Sequence, residues 1–152
     1  MKFRDRAKPG DIHVVIDASS ESMQAYNFKG EKLWSCEAHT YGQNPDWRRK
    51  NGDTPRGMYE VGVIYDTRGE AAYGDWCIDL VDLEGQERDN GRDGISIHGG
   101  GSASPRPFAE KQGWYATHGC VRAQNGDMRS KIYPTFKRVK DGDHKVFVTV
   151  QD

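Results

Sequence analysis

Glycine punctuates this chain so densely that the stretches between turn signals are mostly strand-length. There are 18 glycines in 152 residues, and dense turn signals favour β structure with loops. Several of the intervening runs alternate as strands do. Ile12 to Asp17 is a β-branched run broken by His13. Met23 to Phe28 alternates, Asn27-Phe28-Lys29-Gly30-Glu31 supplies a hairpin turn, and Lys32 to Thr40 reads as the returning strand. Met58 to Tyr65 sets Met58, Glu60, Gly62 and Ile64 against Tyr59, Val61, Val63 and Tyr65, a strand with one aromatic-rich face. Trp76 to Leu83, Gly94 to His98 and Val146 to Val150 add three more. The loops fall at 42–56, 67–74, 83–94 and 99–116; the third is polar and shows no chemistry. With no repeat and no linker, residues 1–152 form a single domain.

That length can bury one sizeable core. Mean hydropathy is low at −0.90, but four Trp, seven Tyr and five Phe offset this because each aromatic buries a large area. A net charge of −1 supplies no global field for nucleic acid or an anionic membrane, so neither is expected as a partner. No apolar run has the length of a membrane span. Met1 to Arg6 lacks a signal-peptide core, which leaves the route to any external site open. A monomer is expected. Three cysteines are too few for a disulfide framework; Cys36 and Cys77 either pair in an oxidising envelope or pack as small hydrophobes. His13, His39 and His144 read as structural.

The chemistry concentrates in Ile97-His98-Gly99-Gly100, a gap of sixteen residues, and Thr117-His118-Gly119-Cys120-Val121-Arg122-Ala123-Gln124-Asn125. Cys120 precedes a run that can open a helix, carried onward by Met128 to Val139. Helix-start amides would favour its thiolate, the nucleophilic form. His98 at a strand end is placed to be its base. The amides of Gly119 and Cys120 suit an oxyanion hole, since a bare glycine lets substrate approach. Arg122 either pairs with a substrate carboxylate or forms a structural ion pair. Trp114 and Tyr115 either bind substrate or pin the loop that carries them. A metal site of His98, His118 and Cys120 is the rival reading, but its spacing matches no zinc pattern and no acidic second shell lies near. No metal or cofactor is therefore expected. A papain-like peptidase places its cysteine before its histidine; here the order is reversed.

These residues resemble the L,D-transpeptidase catalytic domain of the YkuD type. Thr117, His118, Gly119, Cys120, Val121 and Arg122 match its cysteine motif position by position, and Ile97-His98-Gly99 matches the upstream element. Asp53-Thr54-Pro55-Arg56-Gly57-Met58-Tyr59 looks like its Thr-Pro-x-Gly-x-Tyr/Phe element, and Val14 to Phe28 like its opening hairpin. The gap before Thr117 is longer than usual, and Gly99-Gly100-Gly101 replaces a single glycine and a small polar residue.

The resemblance implies a mainly-β sandwich with one helix following Cys120. It implies Cys120 as nucleophile, His98 as base and His118 as a supporting group beside Gly119; Thr117, Gly99, Trp114, Tyr115, Arg122 and Asn125 are the candidate substrate-binding residues around them. Asn125 is similar to a polar residue that steadies the turn behind the cysteine. The reaction implied is attack on the diamino acid–D-Ala bond of peptidoglycan stem tetrapeptides, a Cys120 thioester, and transfer to an amine in the periplasm or cell envelope. Resolution by water would instead give an L,D-carboxypeptidase. A wall-targeting toxin and a non-catalytic wall-binding module are further readings. Carbapenem-type β-lactams are the implied inhibitors. The basic run Arg48-Arg49-Lys50 is either a solvated face or a contact for acidic groups of a wall peptide.

Overall fold

The computed structural model describes residues 3–89 and 92–152. Residues 1–2 of the amino-terminal stretch and 90–91 of the loop at 83–94 lie outside the described residues.

Eight strands form one sheet: β1 (Ile12–Asp17), β2 (Ser22–Tyr26), β3 (Lys32–Glu37), β4 (Gly57–Glu70), β5 (Gly74–Asp82), β6 (Ser96–His98), β7 (Val121–Arg122) and β8 (Val146–Gln151). Their spatial order is β3-β2-β1-β8-β4-β5-β6-β7. The last strand in sequence therefore lies at the centre, parallel to β1 and antiparallel to β4. Its composition suits that place. Val146, Phe147, Val148 and Val150 are all buried, as a strand covered on both faces requires. Val146, Val148 and Val150 stand beside Ile12, Val14 and Ile16, and Phe147 packs with Phe3 and Met58 on the other side.

The sheet folds over until its ends meet. Beyond β3, His39 and Arg122 exchange both main-chain hydrogen bonds at 2.9 Å. The outer edge of β7 is thereby paired, as an edge strand needs. The expected sandwich is made from this single continuous ladder. One helical segment fills it: α3 (Asn125–Asp127), a π-helical stretch over Met128–Ile132, and α4 (Tyr133–Asp141). Met128, Ile132, Phe136 and Val139 face the core formed by Val14, Ile16, Ile78, Ile97 and Val121. The Trp34 indole donates to Thr135 Oγ1 at 2.8 Å, and Trp76 stacks on Tyr133 with centroids 3.9 Å apart. α4 is thus tied to both β3 and β5.

Three local expectations change. β2 and β3 end sooner than their alternating runs, at Tyr26 and Glu37. β4 runs through the expected connection to Glu70, and Thr67 Oγ1 donates across the hairpin to the Gly74 carbonyl at 2.9 Å. β4 also does not keep one set of side chains on one face. Its register against β5 shifts between Val61 and Ile64, so Tyr59 and Val61 are buried while Val63 and Tyr65 are exposed. A bulge inserts a residue and reverses the alternation beyond it.

Two short helical turns, α1 (Phe3–Arg6) and α2 (Gln86–Asp89), were not expected. The first places Phe3 against His13, stacked at 4.6 Å, and His13 Nε2 lies 2.8 Å from Thr149 Oγ1. No helix among the described residues is long and apolar enough to cross a membrane. Cys36 and Cys77 are both free thiols.

Phe136 is fully buried at the helix–sheet contact. Phe136→Ala should cost about 3–5 kcal/mol, seen as a lowered urea midpoint at unchanged slope. A loss under ~1 kcal/mol would show that the helix is not integral to the core.

Candidate active site

The site is set by side-chain alternation across three neighbouring strands. Ile78, Ile97 and Val121 stand in one row and are fully buried toward the helix. The adjacent row, Cys77, His98 and Arg122, must then point to the opposite face. Cys120 sits immediately before β7, and its thiol lies 3.5 Å from the Gly94 carbonyl just before β6. The parallel pairing of β6 with β7 thus sets the strand that ends on His98 alongside the strand that Cys120 immediately precedes, although the two residues are twenty-two positions apart.

Cys120 is not at a helix N-terminus. β7 and two further residues separate it from α3, so no helix-end amides stabilise its thiolate. Burial instead pushes the thiol up to about 11, against the opposing pull of Arg122 and Arg92. Burial also drives His98 down to about 4. Both groups are therefore neutral at pH 7. The His98 ring is held by its Nδ1, 2.7 Å from the Gly99 carbonyl, and by the edge of Tyr73 at 5.2 Å. A carbonyl can only accept, so Nδ1 carries the proton and Nε2 is left as a base.

The residues singled out around this pair divide by what they touch. Thr117 is buried; its hydroxyl lies 2.9 Å from the Cys120 carbonyl and accepts the Gly119 amide at 3.0 Å. The Gly119 amide is committed to Thr117, so it does not serve the expected oxyanion hole in this arrangement. Arg122 is buried and donates to the Tyr115 carbonyl at 3.0 Å; its Nε has no partner among the described residues. His118 is exposed at the rim.

Trp114 stacks face to face on His39 at 3.7 Å, which anchors the loop from behind. Asn125 reaches into that loop. It accepts from the Gly100 amide at 2.9 Å and donates to the Pro107 and Ala109 carbonyls at 2.7 Å each. The glycines at 99 and 100 are needed for this closeness: a Cβ on Gly99 would lie 2.2 Å from Asn125 Oδ1, and one on Gly100 2.4 Å from the Gly74 amide.

Nothing in the local sequence marks Arg92 as part of the site. Its guanidinium is buried and fans out to five backbone carbonyls: Trp47, Arg49 and Asp53 from Nη1 at 2.7–3.0 Å, and Gly52 and His118 from Nη2 at 2.9 and 3.2 Å. It welds the loop at 42–56 to the turn that presents Cys120. A Cβ on Gly119 would stand 1.9 Å from Nη2, so glycine before the cysteine makes room for the arginine. No local pattern marks such a residue, because its partners are carbonyls far away in sequence.

A cavity of about 160 Å³ opens onto the thiol, lined by Lys50, Asn51, Arg92, Asp93, Gly94, His118 and Cys120. Among the described residues no three His, Cys, Asp or Glu side chains form a group that could hold a metal ion.

Each hydrogen bond from a charged group contributes ~1.5–3 kcal/mol. Arg92→Lys keeps the charge and loses the fan of donors. Amide hydrogen exchange across residues 47–53 should then quicken by at least about tenfold, with core amides in β8 unchanged. Unaltered exchange in that loop would remove Arg92 from its assigned role.

The sequence model described as the L,D-transpeptidase catalytic domain (YkuD) matches residues 11–148. No curated protein matches. Among solved structures, the helical cell shape determining protein Pgp2 from Campylobacter jejuni has a TM-score of 0.65 at 21% identity, covering 93% of this chain and 47% of its own. Bdellovibrio bacteriovorus Bd1075 has a TM-score of 0.58 at 14% identity, covering 97% and 49%. Mycobacterium tuberculosis L,D-transpeptidase 1 has 0.55 at 11% identity, covering 93% and 62%. At such identity the likeness is one of fold, and the chain spans about half the length of the first two. With the family's sequence model extending from residue 11 to residue 148 of 152, the chain belongs to the L,D-transpeptidase catalytic domain family of the YkuD type.

Proposed function

We propose that this domain is a peptidoglycan L,D-transpeptidase acting through a Cys120 thioester at the cell wall. The observation that carries this reading is the register that sets Cys120, immediately before β7, beside β6 with its terminal His98, His98 Nδ1 being tied to the Gly99 carbonyl so that Nε2 is the base; burial pushes both groups toward their neutral forms.

A neutral pair must move the proton as the sulfur attacks. Cys120 Sγ adds to the carbonyl carbon of the diamino acid–D-Ala bond while its proton passes to His98 Nε2. The oxyanion that forms is met by the Cys120 amide. The C–N bond then breaks, the D-Ala nitrogen takes the proton from His98, and D-Ala leaves. An acceptor amine attacks the thioester, gives its proton to His98, and displaces the Cys120 sulfur, which recovers that proton. A buried histidine suits both halves, because its low affinity for a proton makes it a ready donor in the second step of each. The partnerless Arg122 Nε and the exposed His118 are the proposed polar contacts to substrate, and Tyr115, Gly99 and Thr117 shape the wall around it.

Incubating the protein with stem tetrapeptide and a D-amino acid tests this reading. The expected product is tetrapeptide with its terminal D-Ala exchanged. Tripeptide alone in the presence of abundant D-amino acid would establish a carboxypeptidase instead. Carbapenem should add covalently to the parent and not to Cys120→Ala, as read by intact mass. His98→Ala should lower turnover by about a hundredfold to ten-thousandfold with the fold retained.

The pH profile follows from the burial of His98. Its folded-state value is depressed to about 4, so the neutral, base-competent form persists as pH falls from 7 and is lost only below that value. The acid limb of kcat/KM should therefore lie near pH 4. A limb centred near the ordinary histidine value would show that His98 titrates as an exposed imidazole.

A further inference from the structure

We infer that Lys50, with Asn51 beside it, is the residue that recognises a substrate carboxylate at the mouth of the Cys120 cavity. The inference rests on the transpeptidase reading for the identity of the substrate, and on the geometry of the 42–56 loop for the site.

Three consecutive cations, Arg48, Arg49 and Lys50, occupy this loop. The first two are engaged: Arg48 lies 3.8 Å from Asp46 and 4.7 Å over the Trp47 ring, and Arg49 lies 3.7 Å from Asp46. Lys50 has no hydrogen-bond or ion-pair partner among the described residues, nor does the Asn51 side chain. Both are exposed and both line the cavity that opens onto Cys120.

Their position is held by the backbone. Residues 49–52 form a turn closed by the Gly52 amide on the Arg49 carbonyl at 2.9 Å, with Asn51 at φ +63°, a conformation that asparagine tolerates better than most residues. Arg92 binds the carbonyls at both ends of this turn, Arg49 and Gly52. The tip bearing Lys50 and Asn51 is therefore fixed over the thiol before substrate arrives, and a preorganised contact loses little on binding.

The other cations near Cys120, Arg92 and Arg122, are buried. Arg92 spends its donors on five carbonyls, and Arg122 is buried with Nη1 on Tyr115. Asp93 is the one carboxylate lining the cavity, and it is exposed; Lys50 and Arg92 outnumber it. An ammonium and an amide donor at one rim make a receptor for a carboxylate. A stem tetrapeptide offers two near its scissile bond, the terminal D-Ala carboxylate and the distal carboxylate of the diamino acid.

The test is the affinity of synthetic stem tetrapeptide for Cys120→Ala, with and without Lys50→Ala or Lys50→Arg, alongside KM for the same Lys50 variants in the active protein. The peptide is used with both carboxylates free, with the D-Ala carboxylate amidated, and with the diamino acid's distal carboxylate amidated. Lys50→Ala should weaken binding and raise KM by about tenfold, with Lys50→Arg restoring most of it. One of the two amidations should reproduce the loss in the parent and add nothing in Lys50→Ala, which identifies the carboxylate concerned. Turnover by the parent with affinity indifferent to Lys50→Ala would overturn the site and leave the transpeptidase reading standing. Binding that depends on Lys50 without turnover would uphold the site and overturn that reading. A protein that neither binds nor turns over tetrapeptide overturns both.

Discussion

A single buried guanidinium holds together the two segments between which Cys120 opens to solvent. Among the described residues no carboxylate lies against Arg92 at hydrogen-bonding distance; five backbone carbonyls take that place. Each carbonyl carries only a partial charge, so the cation remains a net positive presence beneath the thiol, and burial disfavours its charged form. The energetic logic is that of a half-satisfied buried charge turned to structural use: any loosening of the 42–56 loop would strip donors of their acceptors. That makes an otherwise irregular loop a rigid wall. Gly119 is required for the same reason, since a side chain there would occupy the position of the guanidinium.

The electrostatics of the pair distinguish this site from one built on a preformed thiolate. Both Cys120 and His98 are desolvated, and each is pushed toward its neutral form. The cost of charging either one in isolation is high, so in the proposed mechanism charge separation belongs to the moment of attack, with the Cys120 amide and the nearby arginines proposed to meet the developing negative charge. A resting neutral thiol is also a weaker target for adventitious electrophiles than a thiolate. Such a site gains reactivity mainly from a substrate placed correctly against it, which is why the fixed loops around Cys120 matter to chemistry as well as to shape.

The loop at 99–116 belongs to the same economy of fixed parts. Asn125 ties it at three backbone positions, Gln112 spans from the Ala123 carbonyl to the Asn125 amide at 2.8 and 2.7 Å, and Trp114 rests on His39. His39 in turn pairs through its backbone with Arg122. The closure of the sheet, the seating of the loop and the placement of the strand that follows Cys120 therefore share residues, and a change in one is felt by the others.

Much of this was legible in the chain itself. Strand positions followed from alternation, because burial on one face of a sheet imposes a period of two on side-chain chemistry. The family followed from His98-Gly99 and Thr117 to Arg122, and so did the nucleophile and base proposed here, because close backbone approach demands glycine beside the reactive groups and that demand is local. What alternation could not show was where it breaks. The bulge in β4 depends on how β5 pairs against it, and it turned Val63 and Tyr65 outward. The two-residue strand after Cys120 exists only because β6 and His39 lie on either side of it, so a run that reads as a helix start is extended instead. Arg92 lay in a stretch with no visible chemistry because its partners are main-chain carbonyls, which every residue possesses and no sequence displays. Local periodicity and motif chemistry were determined by the sequence alone; the protonation of the pair and the hub that holds it were decided by which distant backbone groups the fold brings within hydrogen-bonding reach.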